Sequence, residues 1–403
     1  MRKTIAVCGT FDSKGEEFSY LAEQVRKLGA DVLSVDMSLR PNDFAADYSA
    51  EAVAAAAEDR YAGGGIADGL DRMSAGAGRL LAGLAAEKRI DGMICMGGGR
   101  GTYMACRVLR EMPLGFPKVL ISTCATNEGI QYYFEGIQDT MVMNPLVDIS
   151  GLNSVLCMAM KEGAACVCAM ADADCMPVHA AGRPRVGITM WGVTTPCVER
   201  VRKLLEEKGC EVLVFHANGT GGSVMDSLVR QNYFDVVADL TLSEITMPVA
   251  RGQYTDPQAE NRMKAACEMG IPQVVAFGGI DMVHPDGRDP AAYAGRKLYY
   301  HTVSCVFYRS NAEETVRCVK FVADRLKTSA GKAVVLHPLG GTSAVNKEGE
   351  ALYESDTNEA LHRAVHQWME PEIPVVDVDA HINDRLFAEK AAEIILGYIG
   401  ETI

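Results

Sequence analysis

No stretch of this 403-residue chain offers the roughly 18–20 consecutive uncharged apolar residues that a bilayer-spanning helix requires. The nearest run, Ser154 to Ala173, is broken by Lys161, Glu162 and Asp172, which predicts a buried helix and no membrane partner. Met1-Arg2-Lys3 leads straight into a strand-like run, not a signal-peptide core with a small-residue cleavage site, so a cytoplasmic protein is expected. A basic excess is missing too. The 39 Lys and Arg are outnumbered by 53 Asp and Glu, giving a net charge of −14, which argues against nucleic acid as a partner. There are 13 cysteines but no C-x-x-C, so zinc ribbons and thiol redox motifs are excluded. Cys8, Cys95, Cys106, Cys157 and Cys305 lie in apolar runs, as small hydrophobes do.

Several catalytic signatures are also lacking. G-x-x-x-x-G-K-[ST] does not occur, which excludes a P-loop NTPase. Gly97, Gly99 and Gly101 give G-x-G-x-G, not the G-x-G-x-x-G of a standard dinucleotide fold. Neither a G-x-S-x-G elbow nor a kinase motif set is present. His362-Arg-Ala-Val-His366 sets two imidazoles one helical turn apart, as a zinc site would. Arg363 stands where zinc proteases carry a glutamate, and its charge weighs against a cation there.

What is present is a strand, a glycine loop and a helix in close succession. Met93 to Met96 reads as a buried parallel strand, and Gly97-Gly98-Gly99-Arg100-Gly101-Thr102 follows before a helical Tyr103 to Arg110. Backbone N–H groups of such a turn face an anion unobstructed, so a phosphate cradle is one reading and a bare tight turn the other.

The chain carries the same plan twice. Thr4 to Cys8, the helix Glu16 to Leu28 and Val32 to Val35 find counterparts in Val186 to Met190, the helix Val198 to Lys208 and Val212 to Phe215. Lys27-Leu-Gly-Ala-Asp-Val-Leu aligns with Glu207-Lys-Gly-Cys-Glu-Val-Leu, and Phe116 to Ser122 with Ile271 to Phe277. Alternating strands and helices with near-continuous apolar strands predict an α/β protein of two tandem Rossmann-like domains with mainly parallel sheets, residues 1–180 and 185–403. The order of the strands is not readable. Asn42 to Asp59 reads as an alanine-rich helical insertion, and Ala62 to Gly78 as a glycine-rich loop opening into a helix.

Ligands of a doubly wound sheet sit beyond the carboxyl ends of its strands. Three loops of the first domain meet there: Gly9 to Lys14, with Thr10, Asp12, Ser13 and Lys14; Gly97 to Thr102; and Ser122-Thr123 onward. Hydroxyls, backbone donors and one lysine suit a polyphosphate, and Asp36, ending the second strand, stands where ribose is held in such folds. Helix capping by Asp12 or Ser13 is the alternative. In the second domain Asn218 to Ser223, Phe277 to Met282 and His337 to Ser343 are glycine-bearing strand ends, read as structural turns or a second anionic pocket. Asp377, Asp379 and His381 share one face of a strand by period two, as an acid–base pair or a cation site would, or as a hydrogen-bonded strand end.

Four segments together resemble one family: Ile5 to Glu16, Gly97 to Thr102, His337-Pro-Leu-Gly-Gly341 and His381-Ile-Asn-Asp384. It is the family of the tobamovirus-resistance protein of tomato, with bacterial relatives of unassigned activity. The resemblance implies ATP binding with Mg²⁺, a homodimer, and nucleotide loops at Thr10 to Lys14 (Thr10, Asp12, Ser13, Lys14) and at Gly97, Gly98, Gly99, Gly101 and Thr102. Ser122 and Thr123 join this site on strand-end geometry alone. The expected function is thus Mg-ATP binding by the first domain. The competing expectation is an enzyme acting on a small phosphorylated or carboxylated metabolite, hence an anionic partner, in the cleft between domains.

Overall fold

The computed structural model describes residues 2–57, 65–126, 137, 139–173, 182–254, 257–285, 293–303, 305–329 and 331–402. The chain forms two compact units, residues 1–178 and 179–403.

Unit one runs β1 (Thr4–Gly9), α1 (Phe11–Lys27), β2 (Asp31–Asp36), α2 (Ala50–Ala55), α3 (Ile66–Ala86), β3 (Gly92–Gly97), α4 (Gly99–Arg110), β4 (Lys118–Ser122), β5 (Met141–Met143) and α5 (Ser154–Asp172). Its sheet is parallel with order β2-β1-β3-β4-β5. Successive strand residues point to opposite faces, and both faces are covered. Ala6, Cys8, Met93, Cys95 and Leu120 pack with Leu81, Met104 and Leu109 of α3 and α4. Ile5, Val7, Ile94, Met96, Val119 and Ile121 pack with Phe18, Leu21, Leu156 and Met160 of α1 and α5. This explains the unbroken apolar strands. Helix α5 is long and apolar enough to cross a membrane. Here Leu156, Met160, Ala164 and Val167 bury one of its faces against the sheet, as expected for Ser154 to Ala173.

Two local expectations change. Residues 66–78 are helical throughout as part of α3, and Gly76 lets that helix press onto the Val53 carbonyl of α2; residues 62–64 lie outside the described residues. Among the described residues 42–57 of the alanine-rich insertion, the helix runs from Ala50 to Ala55, where Ser49 caps it by accepting from the Ala52 N–H; residues 58 and 59 lie outside the described residues.

Unit two repeats the winding. β6 (Arg185–Met190), α6 (Thr195–Glu207), β7 (Glu211–His216), α7 (Gly221–Arg230), β8 (Val236–Thr241), α8 (Ser243–Ala250), α9 (Pro257–Glu260), α10 (Lys264–Met269) and β9 (Gln273–Gly278) come first. After β9 the chain forms an antiparallel sheet of β10 (Met282–Val283), β11 (Leu298–Thr302) and β12 (Cys305–Arg309). It ends with α11 (Ala312–Leu326), β13 (Ala333–Pro338), α12 (Ser355–Trp368), β14 (Val375–Val378) and α13 (Arg385–Thr402). The main sheet has order β7-β6-β8-β9-β13-β14, parallel throughout, so its first four strands have the order of the first unit.

The repeated sequence segments occupy equivalent places. Gly29 and Gly209, with φ of 92° and 88°, end α1 and α6 in the left-handed conformation that glycine adopts freely, and each chain then enters its edge strand. Lys118 and Gln273, both buried, open the fourth strand of each copy.

Candidate functional site

In each unit the chain leaves its first strand for one neighbour and returns to the other side, which opens a crevice between the first and third strands. In unit one β1 and β3 pair directly, so the turns after Gly9 and Gly97 adjoin. Helix α4 begins at Gly99 with Gly98 as its N-cap, and the N–H groups of that first turn have no partner within the helix. An alanine methyl at Gly99 would meet nothing within 4 Å, and one at Gly98 would meet only Thr123 Oγ1 at 3.6 Å. Thr123 is half-buried and Ser13 exposed beside this open crest, and Thr10 Oγ1 lies 3.3 Å from Ser13 Oγ.

Other predicted ligands serve the fold instead. Asp36 is buried: Oδ1 accepts from the Ser38 N–H at 2.8 Å and from the Ser38 hydroxyl, and Oδ2 accepts from Asn42 at 2.9 Å, so neither oxygen is left for a ribose. The Lys14 ammonium donates to the Ile149 carbonyl and is not directed at the glycine turn. Thr102 and Ser122 are fully buried and hydrogen-bonded to each other at 2.6 Å, which ties α4 to β4. Gly97 and Gly101 are glycines because they touch: a methyl on Gly97 would stand 2.6 Å from Gly101 Cα. Asp12 pairs with Arg40 at 3.2 Å. Phe11 to Lys14, read as loop, is the first turn of α1, kinked at Lys14. Arg100, in the first turn of α4 and exposed, makes no ion pair among the described residues.

In unit two the equivalent crevice is filled. Trp191, directly after β6, is 9% exposed and meets the Phe307 ring of β12 edge-on at 5.2 Å, within a cluster of Met282, Val345 and Leu352. Thr194 and Thr241 hydroxyls close on each other at 2.7 Å. The glycine-bearing strand ends are stitched together: buried Asp281 accepts from Thr342 at 2.8 Å and Ser343 at 2.6 Å, and Gly341 (φ 119°) lies against the Asn346 carbonyl. These contacts hold the Phe277 to Met282 and His337 to Ser343 turns to each other.

Open space lies beyond β13 and β14. A cavity of 530 Å³ is lined there by His337, Gly340, Lys347, Asn358, Asp379 and Asp384 among others. All of its lining residues belong to unit two. Asp379 is exposed and His381 is not an acid–base partner for it. His381 donates from Nε2 to the Ser343 carbonyl at 2.8 Å and accepts the Asn383 N–H at Nδ1, so both of its ring nitrogens are engaged. Asn383 reaches Cys197 N–H and the Val193 carbonyl, so the His381 to Asp384 segment fastens the end of β14 to the start of α6.

At one edge of the cavity sits a cluster legible only in part from sequence. His337, His362 and Asp377 each offer a ligand atom, all within 4.8 Å of one another. His366 Nε2 lies 2.9 Å from Asp377 Oδ2. Burial brings His337 down to about 4, which keeps its imidazole neutral. Arg363 pairs with Glu359 on the exposed side of α12. His362 and His366 were visible by spacing; His337 joins them only through the pairing of β13 with β14.

The N-terminal domain of the uncharacterised protein family UPF0261 matches residues 3–175, and its C-terminal domain matches residues 183–399. The chain belongs to UPF0261. A UPF0261 protein of Rhizobium meliloti is 35% identical over 96% of this chain and 97% of its own length. One from Clostridium tetani is 32% identical over 98% and 99%. The tomato ToMV resistance protein Tm-1(GCR237) is 30% identical over 96% of this chain but only 55% of its own length.

Proposed function

We propose that the first unit binds ATP at the β1/β3 switch point, its phosphates on the first turn of α4 and its charge met by Arg100. The observation that carries this reading is the Gly98-Gly99 turn: two consecutive positions where a side chain would fit the fold yet none is present. Thr10, Ser13 and Thr123 supply hydroxyls at the same crest. Mg²⁺ enters as the phosphates' counter-ion, because Asp12 is held by Arg40. The same reading has the protein working in the cytoplasm as a homodimer.

Gly99→Asp separates a binding role from a structural one. A carboxylate in the first turn of α4 stabilises the helix by about 0.3–1 kcal/mol through the helix dipole, whereas it repels phosphate. Calorimetric titration with Mg-ATP is expected to show at least a tenfold weaker affinity in a variant that melts no lower than the parent. Equal affinities, or no affinity in either, would refute the proposal.

A second reading is favoured by the 530 Å³ cavity of unit two: an enzyme acting on a small phosphorylated or carboxylated metabolite, with Lys347, 3.9 Å from Asp384, as the one cationic side chain among the described residues of a wall that also carries Glu348, Glu359 and Asp379. A metabolite thermal-shift screen in the absence of nucleotide tests it, and Lys347→Glu is expected to abolish any hit.

A further inference from the structure

The cluster beside that cavity contains an anomaly. His337 is 2% exposed, and its Nδ1 is buried with no hydrogen-bond partner; His362 Nδ1 is buried without one as well. Buried polar atoms are almost always satisfied, so two orphaned imidazole nitrogens close together call for a ligand. Asp377 Oδ1 stands 3.8 Å from His362 Nδ1, too far for a hydrogen bond.

The fold brings these groups together for ordinary reasons. β13 and β14 pair in register with His337 opposite Asp377. Helix α12 buries Thr357, Ala360, Leu361, Ala364 and Val365, and His362 and His366, one turn apart, meet the strand pair from its flank. The result is two imidazoles and a carboxylate whose ligand atoms lie within 4.8 Å of one another, with a third imidazole 2.9 Å from the carboxylate's second oxygen.

We infer that His337, His362 and Asp377 bind one divalent transition cation of zinc type, with His366 holding Asp377 in orientation. Three nitrogen and oxygen ligands with one vacant position match the donor set of catalytic zinc, and an outer imidazole on the carboxylate is the expected support. Bonds of about 2.0–2.2 Å place tetrahedral ligands roughly 3.4 Å apart, so atoms now up to 4.8 Å apart close by up to about 1.4 Å. His362 and Asp377, with 40% and 31% of their side chains exposed, have room for that rotation, whereas His337 is held by its strand. His337 and His362 both line the cavity, so the vacant position opens onto that space. The inference is independent of nucleotide binding in unit one.

The test uses the full chain without an affinity tag, stripped by a chelator and titrated with Co²⁺ under visible absorption and with Zn²⁺ by calorimetry. One ion per chain is expected, with the intense visible bands of low-coordinate cobalt. His362→Ala and Asp377→Asn, both at partly exposed positions, should keep the parent's circular dichroism and lose more than about 100-fold in affinity, and His366→Ala about 10–100-fold. No uptake by the folded chain, or uptake undiminished in either His362→Ala or Asp377→Asn, overturns the assignment.

Discussion

Glu244 offers the sharpest quantitative test of how unit two is held together. Arg262, 1% exposed, lies among three carboxylates: Asp226 at 2.8 Å, Asp239 at 2.6 Å and Glu244 at 3.3 Å. One cation cannot balance three buried anions. Burial, and then the neighbouring Asp239, outweigh Arg262 and raise the Glu244 carboxyl from its ordinary 4.5 to about 7. Its Oε1 is buried without a hydrogen-bond partner. Below the unfolded value the group is protonated in both states and adds no cost. As pH rises from 4.5 towards 7 the unfolded chain ionises first, and stability falls. Above the folded value the whole penalty is present, roughly 3 kcal/mol at 1.36 kcal/mol per tenfold change in ionisation. Glu244→Gln keeps the shape of the protonated acid and removes the titration. At about 2–4 °C per kcal/mol for a unit of this size, the variant should melt roughly 6–12 °C above the parent near pH 8, and close to it near pH 5. The assay is thermal unfolding of both proteins across that range. A melting difference that does not change with pH would refute the argument.

Gly76→Ala tests the α2–α3 contact. Helix propensity alone predicts a gain of up to about 1 kcal/mol, but the methyl would stand 1.9 Å from the Val53 carbonyl, so a loss of about 1–3 kcal/mol is expected by urea denaturation. Asn311→Ala removes a reciprocal cap in which Asn311 Oδ1 accepts from the Glu314 N–H, and Glu314 Oε2 from the Asn311 N–H, both at 2.9 Å. It should lower stability by about 1 kcal/mol, read as a lower melting temperature of unit two.

Some of the candidate site could be read along the chain, and some could not. The glycine turn at Gly97 to Gly101 was legible because strand, turn and helix are consecutive, and the spacing of His362 and His366 is likewise local. Asp36 was misread because a carboxylate at a strand end looks the same whether it faces a ribose or closes on Ser38 and Asn42. Thr102 and Ser122 were misread for a related reason: a hydroxyl near a glycine turn gives no sign that another hydroxyl, twenty positions on, will take it. Lys14 found a carbonyl 135 residues away.

What the amino-acid order alone determined is the alternation of strand and helix, the tandem repetition and the positions of the chain reversals. These follow from apolar periodicity and from glycine's access to positive φ, which act over a few residues. Strand order, the filling of the second crevice by Trp191 and the meeting of His337 with Asp377 were decided only in three dimensions. Each depends on which distant segments pair and which side chains then compete for the same space, and no local pattern encodes the outcome of that competition.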